Sequence, residues 1–268
     1  MRLHVEVDGP RDGVPVVFLH GVSGSSRTYK WLPEDLRNGR RIVKIDFRGH
    51  GASEHAHGTY DVDRYAEDVV DVLRTQVGRP ALLVGHSLGG VVAWWLAQRH
   101  PELVVAAFLE DPPLYRGEPA EHEENIAIPV FRMVLEAVAR WHAEGASEEV
   151  VAAELAADPT GPDRADDAYT AQAYAFLAMD PGVLEQAADR STLAVTDTAS
   201  PVSVPVFLLA ADDALSAFPS RHAERLARTH PAVEVVRVSG APHGIHDSRA
   251  HRAAYVEQLA RFLDAHGG

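Results

Sequence analysis

Cysteine is absent from this sequence of 268 residues, and lysine occurs only at Lys30 and Lys44. The absence of cysteine excludes disulfide bonds, thiolate nucleophiles and cysteine-based metal sites. Arginine therefore supplies almost all of the positive charge, and any nucleophile must come from another residue type.

Long apolar runs are also missing. No stretch of about 18 consecutive apolar residues occurs in the chain, so the sequence predicts no membrane span. Near the N-terminus, the charged residues Arg2, Glu6 and Asp8 recur too early for the apolar segment of a signal peptide. We therefore expect a cytoplasmic protein that does not bind membranes.

Positive charge is in deficit, because 39 acidic residues outnumber 25 basic ones and give a formal net charge of −14. A chain of this charge repels phosphate backbones, so nucleic acid is not an expected partner. The glycines Gly85, Gly89 and Gly90 do not form a dinucleotide fingerprint, and no P-loop motif for phosphate is present. We expect no cofactor, and a small molecule as the partner.

What the sequence does contain is an alternation of apolar segments with helical patterns, which is typical of a mostly parallel sheet covered by helices. The 46% apolar and 24% charged fractions are ordinary for a globular protein. Strands buried on both faces are predicted over residues 14–20, 41–47, 81–86, 104–109, 204–211 and 233–238. Residues 2–7 alternate between apolar and polar, which indicates an edge strand. Helices are predicted over residues 62–77, 88–98, 219–229 and 250–266.

One long interval interrupts this alternation. Roughly 90 residues separate the fourth buried strand from the fifth, which is far more than a crossover helix needs. The interval has helical periodicity, with an apolar stripe between positions 130 and 141 that suits a face turned toward an apolar substrate or the core. We interpret residues 115–199 as a helical lid (cap) inserted into a core formed by residues 1–114 and 200–268.

The strongest motif is G-H-S-L-G at positions 85–89, which follows a predicted strand and begins a predicted helix. A nucleophile elbow requires this strand–turn–helix context. The turn holds Ser87 in a strained conformation that lifts its hydroxyl clear of the sheet, while Gly85 and Gly89 let neighbouring backbone pass closely. The helix N-terminus also directs backbone N–H groups toward developing negative charge. The motif therefore predicts Ser87 as a nucleophile.

Three further motifs accompany the elbow. His20 and Gly21 end an apolar strand, D-F-R-G-H-G-A-S occupies positions 46–53, and G-A-P-H-G occupies positions 240–244. In this order they resemble the motifs of α/β-hydrolases, along nearly the whole chain except the lid, and the last also resembles bacterial haloperoxidase-type esterases. The resemblance implies a mostly parallel central sheet flanked by helices, with an inserted helical lid.

The resemblance also implies a role for each motif. Ser87 attacks a carbonyl carbon, and His243 takes its proton as general base and later delivers it to the leaving group. The oxyanion hole consists of the backbone N–H groups of Leu88 and Val22, and such donors are worth roughly 3–4 kcal/mol each in related chemistry. Serine at the elbow argues against haloalkane dehalogenases and epoxide hydrolases, which use aspartate there.

The acid of the triad has several candidates in the sequence. The family places a glycine three residues before the acid, and Ala210 stands where that glycine would be, which favours Asp213. Asp212 stays open because the glycine itself is missing. Some family members carry the acid after the preceding strand, where Glu110 and Asp111 lie.

Several histidines and lid residues can have either a structural role or a role in the site. His86 flanks the nucleophile and is expected under the lid, in the substrate pocket, whereas His20 is expected to organise a loop. His243 and His246 have the spacing of a metal-binding pair but lack a clear third ligand, so no metal is expected. An acyl pocket could be lined by residues that fall in the lid, namely Phe131, Met133, Trp141, Phe176 and Met179.

The leading functional prediction is hydrolysis of a carboxylic ester or lactone of small-to-medium apolar character through an acyl-enzyme. C–C bond hydrolysis and cofactor-free perhydrolysis are related alternatives. A non-catalytic ligand receptor on the same fold is a third, because fold alone does not determine function. The pairing of Ser87 with His243 favours an enzyme, since a binder needs neither an elbow nor a base.

Overall fold

The computed structural model describes residues 1–121, 127–193 and 196–267, and within them a sheet of seven strands runs through the centre. The strands are β1 (Val5–Asp8), β2 (Val14–Leu19), β3 (Arg40–Ile45), β4 (Ala81–His86), β5 (Val104–Glu110), β6 (Val206–Ala210) and β7 (Glu234–Arg237). Their spatial order is β1-β3-β2-β4-β5-β6-β7. Among these strands only β1 pairs in the antiparallel direction, and it lies at the edge as its alternating pattern predicts.

Helices flank the sheet, which confirms the predicted fold class. They are α1 (Glu34–Arg37), α2 (Val62–Val72), α3 (Leu88–Arg99), α4 (Ala127–Glu144), α5 (Glu148–Ala157), α6 (Asp166–Ala178), α7 (Pro181–Asp189), α8 (Ser220–Thr229) and α9 (Arg252–His266). A π-helical turn, Leu73–Val77, extends α2 to the end of the predicted segment. None of the described helices is both long and apolar enough to cross a bilayer.

Two apolar clusters fill the two faces of the sheet. Successive strand residues point to opposite faces, so Val17 joins the cluster beneath α2 and α3 while Val16 joins the cluster beneath α9. Ten of the twelve residues of α3 are buried, as expected for a helix packed directly on a sheet. Each fully buried large apolar side chain contributes about 1.5–3 kcal/mol. The clusters therefore hold rigid the strands that carry the site.

The parallel strands end at a common edge, which is where ligands bind in α/β sheets. Ser87 follows β4 directly, and Asp111 follows β5 directly. These two strands are neighbours, with His86 opposite Glu110 in the register. The sheet therefore places the elbow next to a pair of consecutive carboxylates.

The predicted insert lies between β5 and β6, which are neighbours in the sheet as expected for a segment that leaves and re-enters the core at one place. It contains α4 to α7, and its apolar residues form a separate cluster around Trp141. The last helix is tied to the core, because Val183 belongs to the apolar cluster beneath α2 and α3. Residues 122–126 and 194–195 of the predicted insert lie outside the described residues.

Candidate active site

Ser87 occupies a strained turn between β4 and α3, with φ +51° and ψ −115°. A non-glycine residue in such a conformation costs of order 1–3 kcal/mol, and such residues cluster at functional sites. The turn is also tightly packed: a Cβ on Gly85 would lie 2.3 Å from the carbonyl oxygen of Gly89, and one on Gly89 would lie 2.1 Å from that of Leu19. The strand–turn–helix context predicted for the motif is therefore present, and both glycines are sterically required.

His243 is paired with a buried carboxylate. Its Nδ1 lies 2.6 Å from Oδ2 of Asp111, which has no exposed surface. The same carboxylate accepts hydrogen bonds from the Ser216 hydroxyl and the Ala217 N–H. Burial opposes ionisation, but these hydrogen bonds and His243 outweigh it and hold the pKa of Asp111 below its ordinary value. Asp111 is therefore an anion that can orient the imidazole.

The sequence predicted that Asp213 contacts His243, and this prediction is wrong. Asp111 makes that contact instead. Asp213 is exposed, accepts a hydrogen bond from the N–H of Ser220 and lies 3.6 Å from Arg237. The physical reason is topological. β5 lies next to the elbow strand, and the residue after it turns with φ +44° into a pocket of donors.

The two remaining alternatives for the acid also have other partners. Asp212 accepts a hydrogen bond from the N–H of Gly240 (2.8 Å). Glu110 is fully buried and binds His246 twice, through the backbone N–H (2.9 Å) and the ring Nδ1 (2.7 Å). Burial lowers the pKa of His246, but the negative charges of Asp247 and Glu110 reverse the effect and raise that pKa to about 9. Glu110 and His246 therefore form a buried ion pair beside the first pair.

His86 lies between the two histidines of this loop, with ring centroids 4.8 Å from His243 and 4.7 Å from His246. Burial, with the two histidines, holds the pKa of His86 well below its ordinary value, so the neutral ring donates from Nε2 to the carbonyl of His243 (3.2 Å). The ligand atoms of His86, Glu110 and His246 lie within 4.8 Å of one another, the one such group in the described part of the chain that could hold a metal ion. Both Glu110 oxygens already accept hydrogen bonds, so a metal ion would have to displace the His246 proton.

Two buried histidines fix the loop after β2. The N–H of Phe47 donates to Nε2 of His20 (3.1 Å), so Nδ1 carries the proton and donates to the carbonyl of Gly21 (2.7 Å). Nε2 of His50 lies 2.7 Å from the carbonyl of Val22. Burial holds the pKa of His20 well below its ordinary value, which keeps the ring neutral in this bridging role. His20 is a loop organiser, as its sequence context predicts.

This loop passes directly beside the nucleophile. A Cβ on Gly21 would lie only 3.3 Å from Cβ of Ser87. Val22 and Leu88, the two predicted oxyanion donors, both line the same cavity as Ser87. The loop after β2 and the start of α3 therefore both border the part of the cavity beside Ser87.

The motif at positions 46–53 is structural. Oδ2 of Asp46 accepts the N–H of Ala52 (2.9 Å), and Gly51 (φ +52°) is required because a Cβ there would lie 2.2 Å from that oxygen. Arg48 donates twice to the carboxylate of Asp68, at 2.7 and 2.8 Å. The guanidinium is thereby held by Asp68 and braces the loop.

A cavity of about 340 Å³ opens at this edge of the sheet. Its walls include Val22, His86, Ser87, Leu88 and His243. Within the described residues the Ser87 hydroxyl makes no hydrogen bond to the His243 ring, although both side chains face the cavity. Such contacts often tighten only when substrate binds.

Most of the lid residues predicted to form an acyl pocket do not line the cavity. Phe131 lines the cavity, but Trp141, Phe176 and Met179 are buried in the separate cluster of the insert, so their assignment to the pocket is wrong. Met133 is 60% exposed. Helical periodicity identifies a buried face, but it does not say whether that face meets a neighbouring helix or a cavity.

The cavity also contains charged residues that the sequence analysis did not single out. Arg116, Arg164 and Arg190 line it, and Asp247 is the one acidic residue among the described lining residues. These positions are far apart in the sequence and converge only through the fold. No local motif could have identified them.

Comparisons with known proteins are consistent with this geometry. The family model of the alpha/beta hydrolase fold matches residues 14–250. The non-heme chloroperoxidase of Streptomyces lividans is 40% identical over 38% of this chain and 37% of its own. The curated relatives are matched over 25% to 54% of their own lengths.

Two solved structures resemble the whole chain. E-2-(acetamidomethylene)succinate hydrolase has a TM-score of 0.76 with 24% identity, over 98% of this chain and 95% of its own. Est816, described as an N-acyl homoserine lactone degrading enzyme, has a TM-score of 0.69 with 24% identity, over 97% and 96%. At this identity the likeness shows the fold.

Proposed function

The chain belongs to the alpha/beta hydrolase fold family, and on that premise we propose that it is a serine hydrolase that cleaves a carboxylic ester or lactone through an acyl-enzyme. The observation that carries the proposal is the convergence of a strained Ser87 with a His243–Asp111 pair on one cavity. The lactone-degrading activity of Est816 supports the same reaction class.

The first half-reaction acylates the enzyme. The Ser87 oxygen attacks the substrate carbonyl carbon while Nε2 of His243 takes the hydroxyl proton. Asp111 holds Nδ1–H and stabilises the imidazolium that forms. The backbone N–H groups of Leu88 and Val22 stabilise the oxyanion, each by roughly 3–4 kcal/mol. When the carbon–oxygen bond to the leaving group breaks, His243 returns its proton to the departing alcohol.

The second half-reaction regenerates the enzyme. Water attacks the acyl carbon, His243 takes one of its protons, and the same two N–H groups hold the second oxyanion. The bond to Ser87 then breaks, His243 returns the proton to the serine oxygen, and the carboxylic acid leaves. For a lactone, the alcohol and the acid are the two ends of one product.

The insert contributes to this site as a lid. The cavity is walled partly by the core and partly by insert residues, among them Ile128, Phe131, Gln172 and Ala187. A cover of this kind excludes water from the oxyanion and shapes the acyl pocket. The apolar contribution of Ile128 and Phe131 favours acyl or alcohol groups of small-to-medium size in that part of the cavity.

The test is the turnover of p-nitrophenyl butyrate by Ser87→Ala. We expect the backbone to fold normally and kcat/KM to fall by about 10³-fold or more, because the triad acts as a unit. Ser23→Ala is the matched control, since Ser23 lines the same cavity, and it should stay near wild type. Turnover by Ser87→Ala within about tenfold of wild type would refute the proposal.

Perhydrolysis is a second candidate, supported by the similarity to the chloroperoxidase. In this variant of the mechanism hydrogen peroxide replaces water in the second half-reaction, so a peracid forms and Ser87 is released. Peracid formation from an ester and hydrogen peroxide, lost in Ser87→Ala, is the expected result. A protein that binds esters but does not react with a fluorophosphonate probe would instead be a receptor on this fold.

A further inference from the structure

We propose that His86, the residue before the nucleophile, is a positioning residue that holds the main chain of His243 and so keeps the imidazole of the base aligned with Ser87. The proposal rests on the hydrolase function above and adds one residue to its machinery. His86 neither attacks the substrate nor transfers a proton in this role, because its hydrogen bond acts through His243.

The base itself has little packing to hold it. The His243 side chain is 38% exposed, and a Cβ on the next residue, Gly244, would meet no atom closer than 3.7 Å. In the described parts of the chain the main chain of His243 makes one hydrogen bond, in which its carbonyl accepts the Nε2 proton of His86 at 3.2 Å. Asp111 holds the ring of His243 at Nδ1. The ring and the main chain of the base are therefore each held by one residue.

The direction of this hydrogen bond is fixed. A carbonyl oxygen can only accept, so Nε2 of His86 carries the proton. Burial, with the neighbouring histidines, holds the pKa of His86 well below its ordinary value, so the ring is neutral and Nδ1 is unprotonated. One tautomer of His86 therefore serves this contact.

The ring of His86 is also held in place. It lies between the rings of His243 and His246, with centroids 4.8 and 4.7 Å away. His246 is itself fixed by Glu110, at 2.7 Å between Nδ1 and a carboxylate oxygen. On another side the ring packs on the loop after β2, because a Cβ on Gly21 would lie 2.8 Å from Nδ1 of His86. The donor is therefore already oriented toward the carbonyl of His243.

His86 thereby connects the three segments that the reaction needs. It precedes Ser87 in the chain, donates to His243 and packs on Gly21, the residue before the proposed oxyanion donor Val22. The hydrogen bond joins positions that are 157 residues apart in the sequence. Reacting groups must be held within about 0.5 Å of their productive geometry, and a misplacement of about 1 Å can cost about 10²-fold in rate. A loss of this hydrogen bond should therefore slow the reaction.

The test compares His86→Gln with His86→Met. Both replace the ring by an unbranched side chain of similar length, but only glutamine keeps an N–H that can donate to the carbonyl of His243. With p-nitrophenyl butyrate we expect kcat of His86→Met to be about 10- to 100-fold below wild type and KM to change less than about threefold, because a misplaced base acts on the transition state. His86→Gln should have a kcat about fivefold or more above that of His86→Met, the range of one hydrogen bond.

Urea unfolding of both variants accompanies the kinetics. Both lose the same ring contacts, so their midpoints should be similar, and the difference in kcat then reports the donor. Equal kcat in the two variants, or a loss that falls on KM alone, would overturn the positioning role. Absent fluorophosphonate labelling of wild type at Ser87 would instead overturn the hydrolase function.

A measurement on wild type alone guards against misfolded variants. Heteronuclear NMR of isotope-labelled histidine, after backbone assignment, reports which ring nitrogen of His86 carries the proton. The proposal expects a neutral ring with the proton on Nε2. A neutral ring with its proton on Nδ1 overturns the proposal, because Nε2 could then not donate to the carbonyl of His243.

Discussion

Two carboxylate–histidine pairs lie side by side at the end of β5, and they differ in the exposure of the histidine. Asp111 binds His243 and Glu110 binds His246, at 2.6 and 2.7 Å between oxygen and Nδ1. The His243 side chain is 38% exposed, whereas that of His246 is 1% exposed. Both histidines line the cavity, so the comparison teaches that exposure of the histidine side chain, more than the chemistry of the pair, separates a candidate base from a buried structural pair.

The largest effect on the rate is expected for Asp111 and His243, the pair whose histidine is exposed. Asp111→Asn removes the charge that orients and stabilises His243, so kcat should fall by about 10³- to 10⁴-fold, as for the acid of other triads. Asp213→Asn is the matched control and should leave kcat near wild type. Steady-state rates with p-nitrophenyl butyrate measure both. A larger loss in Asp213→Asn than in Asp111→Asn contradicts the assignment.

The buried pair of Glu110 and His246 should affect stability more than rate. Glu110→Gln leaves the buried His246 without its counter-charge, and breaking such a pair costs about 3–5 kcal/mol in the free energy of unfolding. The folded fraction should keep kcat within about tenfold of wild type, because His243 retains Asp111. Urea unfolding and kcat on the same sample test this. Unchanged stability with a rate loss as large as that of Asp111→Asn would place Glu110 in the chemistry instead.

The buried pair of Glu110 and His246 should also make stability depend on pH. Folding raises the pKa of His246 to about 9, so the native state binds the proton more tightly than the unfolded chain. Its contribution is fully present below the ordinary value of about 6.5 and is lost as the pH rises through about 9. The urea midpoint of wild type should fall over this range, with a smaller slope in Glu110→Gln. Equal slopes contradict the ion pair.

The smallest effect is expected for Asp247, whose Oδ1 lies 3.3 Å from Nε2 of His246. Asp247→Asn removes one of the two negative charges that raise the pKa of His246, so the alkaline loss of stability should be smaller and should be complete at a lower pH. Because this carboxylate is partly exposed, the change in free energy of unfolding should be no more than about 1 kcal/mol. An unchanged pH profile would show that Glu110 alone holds the proton.

The same comparison marks what the sequence can reveal. Ser87 and His243 were predictable because each lies in a local motif whose strand, turn and helix signals are adjacent in the chain. Asp111 is only one of several candidate acids in the sequence, because nothing local distinguishes it from Asp213. Its burial and donors come from residues about 100 positions later, such as Ala211 and Ser216.

The same limit applies to the cavity. The sequence predicts Trp141 and Phe176 in the acyl pocket, but they stack on each other (5.8 Å between centroids) and are not among the residues that line the cavity. Arg116 and Arg190 line one cavity only because β5, the insert and β6 return to one edge of the sheet. Sequence patterns therefore predicted the strands and the elbow well, and the contents of the pocket poorly.

The most direct test of the account is the rate and position of labelling by a fluorophosphonate probe, followed by peptide mapping. The account predicts that wild type and Asp213→Asn are labelled on Ser87 at similar rates, and that Asp111→Asn is labelled at least about 100-fold more slowly, because the base has lost its orienting acid. Labelling at another residue, or equal rates in Asp111→Asn and wild type, would contradict it.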